Sequence, residues 1–185
     1  MRLLLTAVLY TGLALGANAA TPGKAELEAL REGSMLKLVV HEEPVTAPDT
    51  AFYDDSGNER RLSEFRGRYV AVNFWATWCA PCRKELPALD ALNREFGGER
   101  FTVATIATGR NTIPAIIRLF DETGVESLPL YLDKEQALAR EMGVLGLPVT
   151  VILDPEGREI ARMTGDAEWD GASARAIVAA LLAAD

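Results

Sequence analysis

The chain has 185 residues and a formal charge of −8, from 19 Lys and Arg against 27 Asp and Glu. This length corresponds to one domain with a sizeable core, and the content of 49% hydrophobic and 25% charged residues excludes a disordered chain. Because an acidic chain has no general attraction to nucleic acid or anionic lipid, we expect no nucleic-acid partner.

Residues 1–20 have the pattern of a cleaved secretory signal peptide. Arg2 precedes an apolar run from Leu3 to Ala17, and Ala17-Asn18-Ala19 offers the small residues that a signal peptidase recognises. The run is shorter than the roughly 20 residues that span a bilayer, which makes an uncleaved membrane anchor the weaker alternative. The absence of a cysteine near its end excludes a lipid anchor. We therefore expect an exported, periplasmic protein.

The two cysteines are separated by two residues, in Trp78-Cys79-Ala80-Pro81-Cys82. In an oxidising compartment they can pair only with each other. A zinc site would have only His41 and carboxylates as further ligands, and covalent haem attachment needs His where Arg83 stands. A purely structural disulfide closing so short a loop would restrict the unfolded chain little. The spacing therefore favours a redox dithiol, and we expect neither a bound metal nor a cofactor.

The cysteines lie where a predicted strand ends and a predicted helix begins. Tyr69–Trp75 is a nearly continuous apolar run rich in β-branched and aromatic residues, typical of a strand buried on both faces, as in a parallel sheet. Apolar residues then recur at helical spacing over residues 80–96. Since a helix N-terminus stabilises a thiolate, Cys79 is the expected nucleophile, and Cys82 is expected to resolve the mixed disulfide.

Two separated motifs resemble one family. The segment Asn73–Cys82, followed by Pro87, resembles the active-site region of the thioredoxin superfamily, and more narrowly the extracytoplasmic TlpA/ResA/CcmG-type thiol–disulfide oxidoreductases. Gly146–Thr150 and the following Val151–Gly157 are similar to the family's cis-proline, strand and turn. The resemblance covers about residues 45–184. It implies an α/β thioredoxin-like fold, with a central mixed sheet flanked by helices, an N-terminal β-hairpin and a central βα insertion.

The resemblance also implies a substrate-binding set around a Cys79–Cys82 disulfide. Pro148 is expected to be cis and to lie beside the disulfide, and Leu147 is expected to present backbone groups to a substrate peptide. Trp78 and Pro81 complete this set.

Glu85 matches an acidic residue that functions near the dithiol in ResA-like proteins, whereas Asn73 replaces the buried acid of thioredoxin itself. Helical spacing puts Glu85 one turn from Cys82. A partly buried carboxylate there would have a raised pKa and could exchange a proton with the dithiol. The alternative is a solvated surface Glu that pairs with a neighbouring Arg or Lys.

The remaining elements are predicted on either side of this centre. Residues 21–45 form an N-terminal extension with a short helix and a strand, and residues 46–185 form the thioredoxin-like domain. His41 is expected at the surface, while Trp169, Phe120 and the methionines are expected in the core. The predicted ranges are helix Ala25–Arg31, strand Met35–Val40, hairpin strands Ala51–Tyr53 and Glu59–Arg61, strand Phe101–Thr108, a helix from Pro114 to near Gly124, strand Leu128–Leu132 with helix Lys134–Met142 as the insertion, antiparallel strands Thr150–Leu153 and Glu159–Met163, and helix Ala172–Ala184.

Two function classes compete at this point. The first is a periplasmic oxidoreductase that reduces a partner protein through a Cys79 mixed disulfide. The resemblance implies apocytochrome c or an oxidase copper-site assembly protein as substrate, and a membrane electron donor of the DsbD/CcdA type. The second class is a copper-binding module that uses the same thiols as soft ligands, although no His or Met adjoins either cysteine. A thiol peroxidase is a weaker third option, because no Thr/Ser-x-x-Cys motif ends the strand.

Overall fold

The computed structural model describes residues 22–184, so the predicted signal peptide lies outside the described residues. Eight strands within this range form one mixed sheet in the order β1-β8-β7-β4-β5-β6-β2-β3. Strand β4 is parallel to β5 and antiparallel to β7, so it is central but only one of its neighbours is parallel. The strands are β1 Val39–Thr46, β2 Phe52–Asp54, β3 Glu59–Arg60, β4 Tyr69–Trp75, β5 Phe101–Thr108, β6 Tyr131–Asp133, β7 Val149–Leu153 and β8 Arg158–Thr164.

Five α-helices and two short 3₁₀ helices connect the strands of the described range. The 3₁₀ helices span Gly33–Lys37 and Leu62–Phe65. The α-helices are α1 Lys24–Ala29, α2 Ala80–Phe96, α3 Ile113–Thr123, α4 Ala137–Glu141 and α5 Ala172–Ala183. The predicted helix α2 is confirmed and runs through Pro87 to Phe96.

Alternate residues of β4 face two hydrophobic cores, because successive side chains of a strand point to opposite faces. Ala71 and Trp75 join the core formed with α2, α3 and α5. Val72 and Phe74 join the smaller core that contains α4 and the β2 strand. Every residue of β4 is buried, as its apolar run predicts. The central strand thus ends, at its carboxyl end, between two packed layers and directly before the cysteines.

The predicted hairpin is confirmed to within a residue, and it extends the sheet at the β6 edge. The insertion is shorter than predicted. Its strand is Tyr131–Asp133 rather than Leu128–Leu132, since Pro129 has no N–H to donate to a ladder. Its helix is Ala137–Glu141 rather than Lys134–Met142, because Gln136 before it has a left-handed φ of 56°.

The strand predicted at Met35–Val40 is wrong. Met35 is buried within the Gly33–Lys37 3₁₀ helix, and the strand begins at Val39. This strand, β1, pairs with β8, so part of the proposed extension belongs to the sheet. His41 is also not a free surface residue, because it is half-buried and its Nε2 lies 2.7 Å from Glu159 Oε1.

Candidate active site

The cysteine pair lies at the N-terminus of α2. Cys79 is the N-cap residue, and its sulfur accepts the backbone N–H of Cys82 at 3.3 Å. The two residues are joined as a disulfide. Cys79 retains 6% of its surface, whereas Cys82 is completely buried. Because the helix dipole and the free N–H groups of the first turn favour negative charge, a thiolate at Cys79 is the stabilised and more reachable one.

The cis-proline lies at the end of the neighbouring strand. The Leu147–Pro148 peptide bond is cis. Val149 pairs with Phe74 in the β4–β7 ladder, so Pro148 adjoins the carboxyl end of β4, where the chain leads into the cysteines. Pro148 is buried and Leu147 is half-buried. The backbone carbonyl of Pro148 accepts an N–H from Gly165 at 2.9 Å, which anchors this segment to the loop after β8.

Trp78 and Pro81 are the exposed members of the predicted substrate-binding set. The Trp78 side chain is unusually open for a large aromatic residue, with 64% of its surface exposed directly before Cys79. Pro81 is exposed in the first turn of α2, where the missing N–H of proline costs no helical hydrogen bond. Two apolar side chains therefore lie exposed in the chain on either side of Cys79.

Glu85 is buried, so the surface alternative for it is wrong. The residue is 3% exposed and accepts three hydrogen bonds. Asn73 Nδ2 donates to Oε1 at 2.9 Å, while the Ala167 N–H and Trp169 Nε1 each donate to Oε2 at 3.2 Å. The donors come from β4 and from the loop before α5, so two separate segments of the chain converge on the carboxyl group that α2 carries.

Burial raises the pKa of the Glu85 carboxyl from 4.5 to about 7. The hydrogen bonds from Asn73, Ala167 and Trp169 lower the pKa because they stabilise the charged form, but they do not offset the loss of solvation. The nearby Asp166 carboxylate raises the pKa further by repulsion. Glu85 can therefore both hold and release a proton close to neutral pH, which is the property required of a general acid–base group.

A cleft of about 350 Å³ reaches Glu85 from the side of the N-terminal segment. Lys37, Lys84 and Asp166 line it, and both lysines form ion pairs with Asp166, at 3.9 and 3.8 Å. The cleft gives Glu85 a polar route by which protons can exchange with solvent.

Two contributors to this site escaped the sequence analysis. Trp169 is in the core as predicted, yet its indole N–H also binds Glu85. A buried indole N–H usually binds an acceptor, so the predicted burial of Trp169 could have indicated a polar partner in the core. The contribution of the Ala167 N–H could not be predicted from the sequence, since every residue except proline has this backbone donor.

Within residues 22–184, no group of three or more His, Cys, Asp and Glu side chains is arranged to hold a metal ion. Nor is any helix in this range long and apolar enough to cross a membrane.

The family model described as AhpC/TSA matches residues 45–160. The chain belongs to this family of thioredoxin-like proteins. The thioredoxin-like protein YneN of Bacillus subtilis is 35% identical over 121 residues, covering 65% of this chain and 71% of its own. The thiol-disulfide oxidoreductase ResA of the same species is 30% identical over 148 residues, covering 80% and 74%.

A solved structure supports the same assignment. The pneumococcal exposed lipoprotein thioredoxin Etrx1 of Streptococcus pneumoniae superposes with a TM-score of 0.59 at 26% identity, covering 74% of this chain and 99% of its own. The thioredoxin-like fold class and the resemblance to ResA-type proteins are thus confirmed. The chain is a thiol–disulfide oxidoreductase, the enzyme class that its cysteine pair predicts.

Proposed function

We propose that this protein is an exported protein-disulfide reductase that works through Cys79 and Cys82. The observation that carries the proposal is the disulfide at the N-terminus of α2, in which Cys79 is reachable and Cys82 is buried. The reduced Cys79 thiolate attacks a substrate disulfide and forms a mixed disulfide, releasing the first substrate thiol. Cys82 then attacks Cys79, which releases the second thiol and leaves the disulfide. Two electrons and two protons thereby pass to the substrate.

Glu85 is the proton-transfer group of this cycle. It follows Cys82 by one helical turn, and its pKa of about 7 lets it take the proton of the resolving thiol and return it. The carboxylate also opposes a second negative charge nearby, so its ionisation regulates how readily the dithiol forms a thiolate.

The substrate segment binds across Trp78, Pro81, Leu147 and Pro148. The exposed indole and the Pro81 ring supply apolar contact, and the Leu147 backbone, just before the start of β7, supplies hydrogen-bonding groups.

The direction of electron flow and the location follow from similarity. Likeness to ResA favours reduction, with apocytochrome c or an oxidase copper-site assembly protein as the substrate and a DsbD/CcdA-type membrane protein as electron donor. The secretory pattern of residues 1–20 and the likeness to an exposed lipoprotein favour export to the periplasm. Intact-mass analysis of protein from its native host should give a mature chain that begins at Ala20 or Thr21, in the soluble periplasmic fraction.

Substrate trapping tests the mechanism. Cys82→Ser should accumulate covalent, reductant-sensitive adducts with the substrate, because the resolving thiol is absent. Cys79→Ser is the matched control and should trap almost nothing, since the attacking thiol is missing. Mass analysis of the adducts would name the substrate. Equal trapping by both variants would reverse the assigned roles, and no trapping by either would favour the copper-binding alternative, which titration of the reduced protein with Cu(I) then measures directly.

A further inference from the structure

Two clefts share the exposed Trp78 as a lining residue. One, of about 290 Å³, is lined by Trp78, Leu145, Leu147 and Arg140 among others. The second, of about 500 Å³, is also lined by Trp78 and includes Arg110, Lys134 and Glu135. We call them the apolar cleft and the basic cleft. Both are lined by Trp78, the residue before Cys79, so a chain bound at the disulfide lies next to them.

Two large apolar side chains that line the apolar cleft do not pack in the hydrophobic core. Leu145 is fully exposed and Trp78 is 64% exposed, so neither side chain is used to fill the core. Both line the apolar cleft together with the half-buried Leu147, which precedes the cis-proline. Large apolar side chains left in water beside a reactive site are typical of a surface that binds a partner.

The basic residues around the two clefts form no ion pair with an acidic side chain of residues 22–184. Most Lys and Arg side chains of residues 22–184 form ion pairs, as Lys24, Arg60, Arg94, Arg158, Arg162 and Arg175 do. Arg110, Lys134 and Arg140 are exposed, and over the same range none of them forms one. Glu135 lines the basic cleft, and Lys134 also borders a third cleft with Asp54 and Asp55, so the positive charge rests mainly on Arg110 and Arg140. The patch is therefore positive on a chain whose net charge is −8.

Gln136 forms the boundary between the clefts, which it lines on both sides. Its backbone has a φ of 56°, and its side chain lies so close to Gly109 that a Cβ there would be 2.4 Å from Gln136 Nε2. Non-glycine residues in this region of φ are uncommon and concentrate at binding sites. The loop before α4 thus holds the two clefts in a defined shape beside Trp78.

We infer that the substrate of this enzyme carries, next to its reactive cysteine, an extended acidic segment with one apolar side chain. The apolar side chain binds in the apolar cleft between Trp78 and Leu145. The acidic side chains pair with Arg110, Lys134 and Arg140, none of which forms an ion pair within residues 22–184. This inference rests on the proposed disulfide exchange and adds the chemical class of the substrate. It assigns selectivity to the central insertion, which supplies Lys134 and Arg140.

Peptide disulfides of matched sequence test the inference. Each peptide has one cysteine, as a mixed disulfide with thionitrobenzoate, and one leucine, flanked by aspartates, asparagines or lysines. Attack by reduced Cys79 forms a protein–peptide disulfide and releases coloured thionitrobenzoate, after which Cys82 releases the peptide thiol. At about 0.1 M salt the Debye length is about 10 Å, so the local cations act while remote carboxylates are screened. We expect the acidic peptide to react about tenfold faster than the neutral one.

Charge-matched variants locate the effect. Arg110→Gln/Arg140→Gln should bring the rate ratio of acidic to neutral peptide close to one. Arg66→Gln/Arg118→Gln removes the same charge from exposed residues that line neither cleft, and should keep the ratio of the unsubstituted protein. Near 1 M salt, where the Debye length is about 3 Å, the ratio should also approach one.

Equal rates with acidic and neutral peptides in the unsubstituted protein would overturn the inference, and so would a preference that survives Arg110→Gln/Arg140→Gln. The proposed function is overturned by a different result, in which none of the three peptides releases thionitrobenzoate. Leu145→Ser tests the apolar part. It should slow the leucine peptide severalfold and leave a peptide with serine in place of leucine unchanged, whereas equal slowing of both would overturn the assignment of the apolar cleft.

Discussion

Asn73 and Glu85 meet inside the protein, where the Asn73 side-chain amide donates to the Glu85 carboxyl group at 2.9 Å. The same amide nitrogen donates to Thr150 Oγ1, also at 2.9 Å, so β4, β7 and α2 are joined by one buried polar group. Both residues are almost completely inaccessible to water. A neutral amide is compatible with a carboxyl group that changes charge near neutral pH, because it adds no fixed charge of its own. This pair therefore leaves Glu85 free to titrate.

Replacing Glu85 should change how thiol reactivity depends on pH. Above pH 7 the Glu85 carboxylate opposes a thiolate in the reduced dithiol, and glutamine does not. We expect Glu85→Gln to raise the rate of Cys79 alkylation at pH 8 by about threefold and to remove an inflection near pH 7. Stopped-flow alkylation of the reduced proteins measures both. Glu99→Gln, an exposed position, is the control, and superimposable profiles for all three proteins would make Glu85 a structural residue only.

The same group should make the stability of the oxidised protein depend on pH. The pKa of Glu85 is about 7 in the folded protein and 4.5 without burial. Between these values the native state binds more protons than the unfolded state, so the free energy of unfolding falls as pH rises and levels off above 7. The fall contributed by Glu85 is about 3 kcal/mol. Urea unfolding at pH 4 to 8 should show this fall in the unsubstituted protein and not in Glu85→Gln. If the free energy of unfolding changes with pH in the same way in both proteins, the raised pKa of Glu85 is contradicted.

A second carboxyl group at position 73 should be costly. In Asn73→Asp two carboxyl groups share one buried site, and at pH 8 both cannot ionise without strong repulsion. We expect the free energy of unfolding at pH 8 to fall by about 3 kcal/mol or more, with a smaller effect at pH 4. Chemical denaturation at the two pH values checks this.

The double variant Asn73→Asp/Glu85→Gln is the matched control for that change. It again has one carboxylate and one amide, with their positions exchanged, and the Thr150 hydroxyl can turn to donate to the new carboxylate. Most of the lost stability should return. If it does not, the cost of Asn73→Asp arises from packing rather than from the pair of charges.

The redox centre was predictable because its determinants are adjacent in the chain. The apolar run of β4, the two cysteines and the start of α2 are consecutive, and strand burial and helix initiation both depend on neighbouring residues. The Leu147–Pro148 motif lies far away, but it is itself a local pattern. The strand, the helix and the dithiol required only the period of hydrophobic residues and the chemistry of thiols, whereas the cis-proline was predicted from the resemblance to thioredoxin-like proteins.

The N-terminal segment shows where local pattern failed. Met35–Val40 was predicted to be a strand, yet Met35 is buried through a 3₁₀ helix and the strand begins at Val39. The strand forms where it does because it pairs with β8, more than one hundred residues later in the chain. His41 is half-buried by the same pairing, through Glu159.

The sequence by itself determined the redox chemistry of this protein, and the tertiary structure decided the pKa of the carboxyl group beside the dithiol. Cysteine spacing and the strand–helix junction specify a dithiol wherever they occur, since both act over a few residues. The environment of Glu85 depends on Asn73 in β4 and on Ala167 and Trp169, which follow Glu85 by 82 and 84 residues. A pKa is set by all the groups that surround a carboxyl group in space. The spacing of residues along the chain does not specify which groups surround Glu85, because only the packed fold brings them together.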